Sequence, residues 1–190
     1  MHFTRVGLTG GIATGKSAVA ELWRARGATV VDTDALAHAA LEPGTETYRQ
    51  IVAEFGRGIL RPDGRVNRPA LGEIVFNDAA QRAKLNALVH PVVRAQWQGA
   101  QADVVMIPLL YEVGAEKEFD AVVVVGCSEA TQLARLAAKG LTEPQARARI
   151  AAQWPVAQKM DRGDFVIWND GSRAILARQA EVIWSKLKEN

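Results

Sequence analysis

The sequence predicts an α/β fold with a five-stranded parallel sheet flanked by helices. Three observations carry that prediction. Five short apolar runs recur along the 190 residues, helix-length segments separate them, and the first run leads into a glycine-rich loop that opens a helix. Most of the runs are near-continuously hydrophobic rather than alternating, as expected of strands covered by helices on both faces.

Arg5–Thr9 reads as the first strand. Lys16–Arg26 follows as a helix with Val19, Leu22 and Trp23 on one face and Gly27 as its stop. Ala28–Asp32, Val104–Leu110 and Ala121–Gly126 read as the next three strands, and Asp164–Trp168 as a weaker fifth. Residues 34–102 are far too many for a simple crossover of ~10–12 residues. Their helical stretches (Ala35–Leu41, Glu46–Phe55, Arg68–Phe76, Ala79–Val89, Val92–Gln101) and the Pro62-Asp63-Gly64 turn predict an inserted helical subdomain. His90-Pro91 falls between two of these helices. Residues 128–163 form a second departure, with Ser128 and Thr142 as caps, a capping-box pattern at Thr142–Gln145 and an outward face rich in Arg and Lys. A basic helical hairpin on an α/β core is either a cover for a phosphate site or a solvated helix pair. The expected division is 1–33, 103–127 and 164–190 as the core, 34–102 as the insertion and 128–163 as the lid.

Composition excludes several classes. With 48% hydrophobic and 23% charged residues the chain is neither disordered nor fibrous, and a net charge of +2 does not suggest nucleic acid as a partner. The single cysteine, Cys127, cannot form an internal disulfide. The longest apolar run, residues 104–111, is far short of the ~20 needed to span a membrane and contains Pro108. No signal-peptide pattern is seen, and a cytoplasmic setting is expected, as a monomer or small homo-oligomer.

Gly10-Gly11-Ile12-Ala13-Thr14-Gly15-Lys16-Ser17 matches G-x-x-x-x-G-K-[ST] between a predicted strand and a predicted helix. Glycines let the backbone curl with its N–H groups inward, making an anion nest at a helix N-terminus. Residues 11–17 are therefore expected to bind a nucleoside triphosphate, with Lys16 reaching the β/γ-phosphates and the Ser17 hydroxyl on Mg²⁺. No N-K-x-D sequence or switch D-x-x-G is found, so a GTPase is excluded, and 190 residues leave no room for translocating machinery. A P-loop kinase core with a helical acceptor-binding insertion and a helical lid fits best. Another small-metabolite kinase of this fold and a non-enzymatic ATP-binding regulator are the rivals.

Ligands of open α/β sheets gather outside the carboxyl ends of the strands, where Asp32-Thr33-Asp34 closes the second strand. Strand alternation would put Asp32 and Asp34 on one side, next to the phosphate loop if strands one and two are close neighbours. One can order metal-bound water and the other accept a proton from an attacking hydroxyl; alternatively, Asp34 caps the next helix. Pro108–Glu112 ends the third strand at the same edge. Taken alone, Glu112 reads as a surface residue, His90 as a packed turn residue and Arg68 as solvent-facing.

Together these pieces resemble dephospho-CoA kinases over nearly the whole chain. The resemblance rests on Gly7–Ile12 with Gly15-Lys16-Ser17, Val31–Asp34, Asp63-Gly64-Arg65 with Arg68, Leu71 and Phe76, His90-Pro91, Pro108–Glu112, Ala152-Gln153, Lys159 and Val166–Gly171. It implies phosphorylation by ATP of the ribose 3′-hydroxyl of dephospho-CoA, with Mg²⁺. It further implies Asp34 as base, Asn169 and Gly171 near the adenine, and Arg68, His90, Leu110 and Glu112 on the acceptor. For the lid it implies Arg135, Lys139, Arg147 and Arg149. Three positions depart from the family pattern. Ala13-Thr14 replaces Gly-Ser, which is acceptable at negative φ; Tyr111 replaces phenylalanine; and Lys139 stands in an arginine position in a turn one residue shorter, without the guanidinium fork.

Overall fold

The computed structural model describes residues 5–189, without the side chains of Phe76 and Asn77. The chain divides into two compact units, one running to Asp32 and resuming at Gln101, the other spanning Thr33–Ala100.

The first unit is built on strands β1 (Val6–Gly10), β2 (Val30–Asp32), β3 (Val104–Met106), β4 (Ala121–Gly126) and β5 (Phe165–Trp168), all parallel in the order β2-β3-β1-β4-β5. Strands one and two are thus not neighbours, because β3 lies between them. The register sets Asp32 level with Met106 and Met106 level with Leu8, so all three strands end at one edge. One face of the sheet, with Val6, Leu8, Val104, Met106, Val123, Val125 and Ile167, packs on helices α1 (Lys16–Arg24) and α9 (Arg173–Glu189). Trp23 is fully buried there, stacked on Trp184 with centroids 5.4 Å apart, and its indole N–H donates to Ala180 O. On the other face Gly7 is required: an added Cβ would lie 2.8 Å from Leu110 Cδ1.

Among the element ends that differ from the sequence expectation, three have a clear local reason. α1 stops at Arg24, and the chain closes it with a Schellman pair, Gly27 N–H to Arg24 O and Ala28 N–H to Trp23 O, with Gly27 at φ +87°. Ala28 is therefore used in the cap and β2 begins later. β3 ends at Met106 rather than Leu110. Pro108 has no N–H for the ladder, and residues 109–114 turn once as a helix, Val113 N–H to Leu109 O, closed by Gly114 at φ +65°.

The segment 128–163 holds α6 (Glu129–Ala137), α7 (Glu143–Ala151) and α8 (Val156–Met160). Ser128 Oγ accepts from Thr131 N–H, and Thr142 N–H donates to Gln145 Oε1, so both expected caps form.

The second unit contains α2 (Thr33–Ala40), α3 (Glu46–Phe55), α4 (Arg68–Asn77) and α5 (Ala79–Gly99). α5 is one continuous helix of 21 residues running through Pro91, where the sequence suggested two. The proline removes one hydrogen bond, while buried Val89, Val93 and Trp97 anchor both halves. Between α3 and α4 the Pro62–Gly64 turn forms as expected. Arg61 N–H donates to Arg65 O, Arg65 N–H to Asp63 Oδ1, and Tyr48 Oη to Gly64 O at 2.6 Å.

Candidate active site

Residues 10–15 form a tight loop between β1 and α1. Gly10 (φ +147°) and Gly15 (φ +105°) occupy backbone regions that side chains avoid, and a Cβ on Gly15 would collide with the Asn169 amide. Ala13 also takes a left-handed conformation, at φ +59°. The sequence reading required negative φ there; the loop's curl imposes the opposite.

Contacts from outside the loop hold its backbone. Lys16 Nζ donates to Gly11 O at 2.7 Å and Gly10 O at 3.1 Å. Asn169 Nδ2 donates to Thr14 O at 2.7 Å, and Asn169 is buried, so its amide braces the loop. Arg135 donates to Ala13 O and Thr14 O, each at 3.1 Å, and to Asn169 O at 2.8 Å. Gln132 Nε2 donates to Ile12 O at 2.7 Å, and Ile12 N–H donates to Gln153 Oε1 at 2.8 Å. The loop carbonyls thereby turn to protein donors, which leaves the remaining N–H groups and the N-terminus of α1 for an anion. Ser17 is exposed in the first turn of α1.

The other cations of 128–163 lie elsewhere. Lys139 and Arg149 are exposed, and Arg147 pairs with Glu129 at 2.6 Å and Glu143 at 2.8 Å. Beyond β5, Asp170 accepts from Ser128 N–H. Desolvation opposes its ionisation, but hydrogen bonds from Ser128 and Thr131 win and hold its carboxyl below the usual range. Gly171 is exposed beside Ile175.

At the end of β3, Leu110 is fully buried and Tyr111 nearly so. Tyr111 stacks on Trp154 at 6.2 Å, and the Arg162 guanidinium lies 5.0 Å from the Trp154 ring centroid. Burial, with Asp164 and Glu116 nearby, pushes the Tyr111 phenol up to about 12. Glu112 is largely buried, with 16% of its side chain exposed. Its Oε1 lies 2.7 Å from Lys159 Nζ and accepts from Trp154 N–H at 2.9 Å. Glu112 Oε2 is buried and has no hydrogen-bond partner among the described residues. Breaking a buried pair of this kind by removing one partner costs about 3–5 kcal/mol.

Asp32 ends β2 at the carboxyl edge of the sheet. Thr33 is already helical, so Asp34 lies in the first turn of α2. Strand alternation therefore does not relate Asp34 to Asp32, and Asp34 is inside the helix rather than ahead of it as a cap.

In the second unit, Arg61, Arg65, Val66 and Arg68 line an open cleft of about 240 Å³ with Leu41 and Glu42. Glu42 stands 3.7 Å from Arg68 and 3.9 Å from Arg65, one carboxylate among three guanidiniums. Arg68 opens α4 and is 46% exposed. His90 is exposed on α5, and desolvation lowers its pKa. Among the described residues no three His, Cys, Asp or Glu side chains converge as a metal site. A divalent cation here would rely on Ser17 Oγ, ligand phosphates and water, the usual partial shell of Mg²⁺.

Gln132, Gln153 and Asn169 are braces that residue-by-residue reading does not assign. Each bonds a loop more than 100 residues away in sequence, and no local pattern marks that contact.

A parallel sheet in this strand order, with a strand–loop–helix phosphate cradle at its carboxyl edge, defines a P-loop kinase. The dephospho-CoA kinase family model matches residues 4–174. A dephospho-CoA kinase from Geobacillus kaustophilus is 47% identical over 97% of this chain and 98% of its own. A solved dephospho-CoA kinase from Campylobacter jejuni superposes with a TM-score of 0.70 at 28% identity, over 98% of each chain. A solved protein from Thermus thermophilus superposes at 0.79 with 34% identity, covering 98% of this chain and 99% of that one. The chain belongs to the dephospho-CoA kinase family. Among the described residues no helix is long and apolar enough to cross a membrane.

Proposed function

We propose that this chain transfers the γ-phosphoryl group of ATP to the ribose 3′-hydroxyl of dephospho-CoA, giving CoA and ADP in the cytoplasm. The observation that carries the reading is the braced phosphate cradle at the sheet edge where β2 ends in Asp32 and the chain passes directly through Asp34 into the insertion. Family membership names the acceptor.

Residues 13–17 hold the triphosphate by backbone N–H groups and the end of α1, and Lys16 exchanges its loop carbonyls for the β/γ-phosphates. Asn169, Gly171 and the turn after β5 border the adenine. Ser17 Oγ, the phosphates and water ordered by Asp32 would hold Mg²⁺, whose charge would offset that of the phosphoryl oxygens. Asp34 orients the 3′-hydroxyl and takes its proton. The insertion binds the acceptor: the cleft of Arg61, Arg65 and Arg68 suits a diphosphate, whose charge would displace Glu42 from the guanidiniums. His90 supports the same ligand, and on the core Leu110 shapes the end of β3 while Glu112 Oε2 offers an acceptor to a ligand N–H or O–H. Segment 128–163 serves as the lid. Arg135 is its cation nearest the transferring group, while Lys139, Arg147 and Arg149 are peripheral to it in this conformation.

The test is acceptor-dependent ADP release with dephospho-CoA beside a panel of nucleoside monophosphates and sugar acids. Activity with dephospho-CoA that Lys16→Ala abolishes is expected. Turnover of another acceptor in its place would refute the reading.

A further inference from the structure

Lys159 is fully buried, a setting lysine almost never takes without a partner. Its ammonium donates to Pro108 O at 2.9 Å and pairs with Glu112 Oε1 at 2.7 Å. Pro108 O also accepts from Thr9 Oγ1, one residue before the phosphate loop. The same Glu112 oxygen accepts Trp154 N–H, which fixes the backbone next to Gln153, and Gln153 receives Ile12 N–H. On the other side of this turn Val156 fills the space over Gly11, where a Cβ would lie 2.6 Å from Val156 Cγ2.

We propose that Lys159 is a positioning residue for the nucleotide cradle, acting through Glu112 and Gln153. Without its charge the Glu112 carboxylate loses the partner that keeps it under Trp154 N–H. Gln153 then loses its register on Ile12, and the apex of the loop is no longer pinned. The Ile12 N–H committed to Gln153 is not a phosphate ligand; it sets the curl of the N–H groups that are. The inference rests on the nucleotide half of the function proposed above and not on its acceptor half.

The experiment is calorimetric titration of a non-hydrolysable ATP analogue with Mg²⁺ into the full chain and the variants Lys159→Met, Gln153→Ala, Glu112→Gln and their pairwise combinations, with the Tm of each measured. Loss of one such brace is worth about tenfold in Kd. Lys159→Met and Gln153→Ala should each weaken binding by about that factor, and their combination should be no weaker than the worse single variant. In turnover of Gln153→Ala, KM for ATP should rise while KM for the acceptor holds. A lower Tm with unchanged Kd, additive losses in the combination, or a rise in acceptor KM alone would each overturn the proposal. Where Lys159→Met fails to fold, the Glu112→Gln and Gln153→Ala pair decides by Kd, Tm and the non-additivity of their combination. Absence of turnover with dephospho-CoA, with these affinities as expected, counts against the acceptor assignment alone.

Discussion

Replacing Ala13 by glycine should make the protein more stable, although the change removes atoms from the phosphate loop and loosens the unfolded chain. Ala13 sits at φ +59°, where an L side chain crowds the following carbonyl at a cost of about 1–2 kcal/mol. Glycine relieves that strain, and the added freedom of the unfolded state takes back about 0.4–1 kcal/mol. The net gain is about 0.5–1 kcal/mol, which for a domain of this size raises Tm by about 1–4 °C. The Ala13 side chain makes none of the loop's hydrogen bonds; the carbonyl that receives Arg135 remains. Urea unfolding should therefore show a higher midpoint at unchanged m, with ATP affinity retained. Ala13→Val, branched at Cβ in the same conformation, should lower the midpoint. A glycine variant less stable than the parent would show that the loop does not hold residue 13 in the left-handed region.

Three further outcomes follow. Asp34→Asn should cut kcat by about 10²–10⁴ with ATP binding intact, measured by coupled ADP release; a loss of tenfold or less removes it as the base. Arg68→Ala should raise KM for dephospho-CoA by about 10–100-fold, the worth of one charge-assisted bond, and leave KM for ATP alone. Cys127 is buried, and desolvation chiefly raises its pKa. The native thiol should resist a disulfide reagent at pH 8 and react once denaturant is added. Because the unfolded thiol gives up its proton first, the contribution of this site to stability should fall as pH rises past the ordinary thiol value of about 8.5.

The parts of the fold legible in the sequence are those written in contiguous residues. β4 is an uninterrupted apolar run, β1 leads straight into the spaced pattern of the phosphate loop, and the Pro62–Gly64 turn, Ser128 and Thr142 carry their own chemistry. The structure departs from the sequence expectation where two local signals compete. The apolar run after Val104 continues to Tyr111, but Pro108 ends the ladder. Pro91 suggests a break, yet a helix with buried side chains on both sides of it survives one missing bond. Strand alternation would relate Asp34 to Asp32, but the chain is already helical at Thr33. The place of β3 between β1 and β2, and the grip of Arg135, Gln153 and Asn169 on the loop, depend on long-range pairing that no window of sequence displays.

The order of core residues along the chain constrains how the protein is made. The cluster that closes over β1 draws on Val6 and Leu8 near the start and on Leu176, Ala180, Ile183, Trp184 and Leu187 near the end. A nascent chain leaving the ribosome has therefore released every helix of residues 33–100 before the partner surface for Trp23 exists. Until α9 emerges, β1 and β4 expose their apolar faces, the stage at which such strands are most prone to associate with the wrong neighbour.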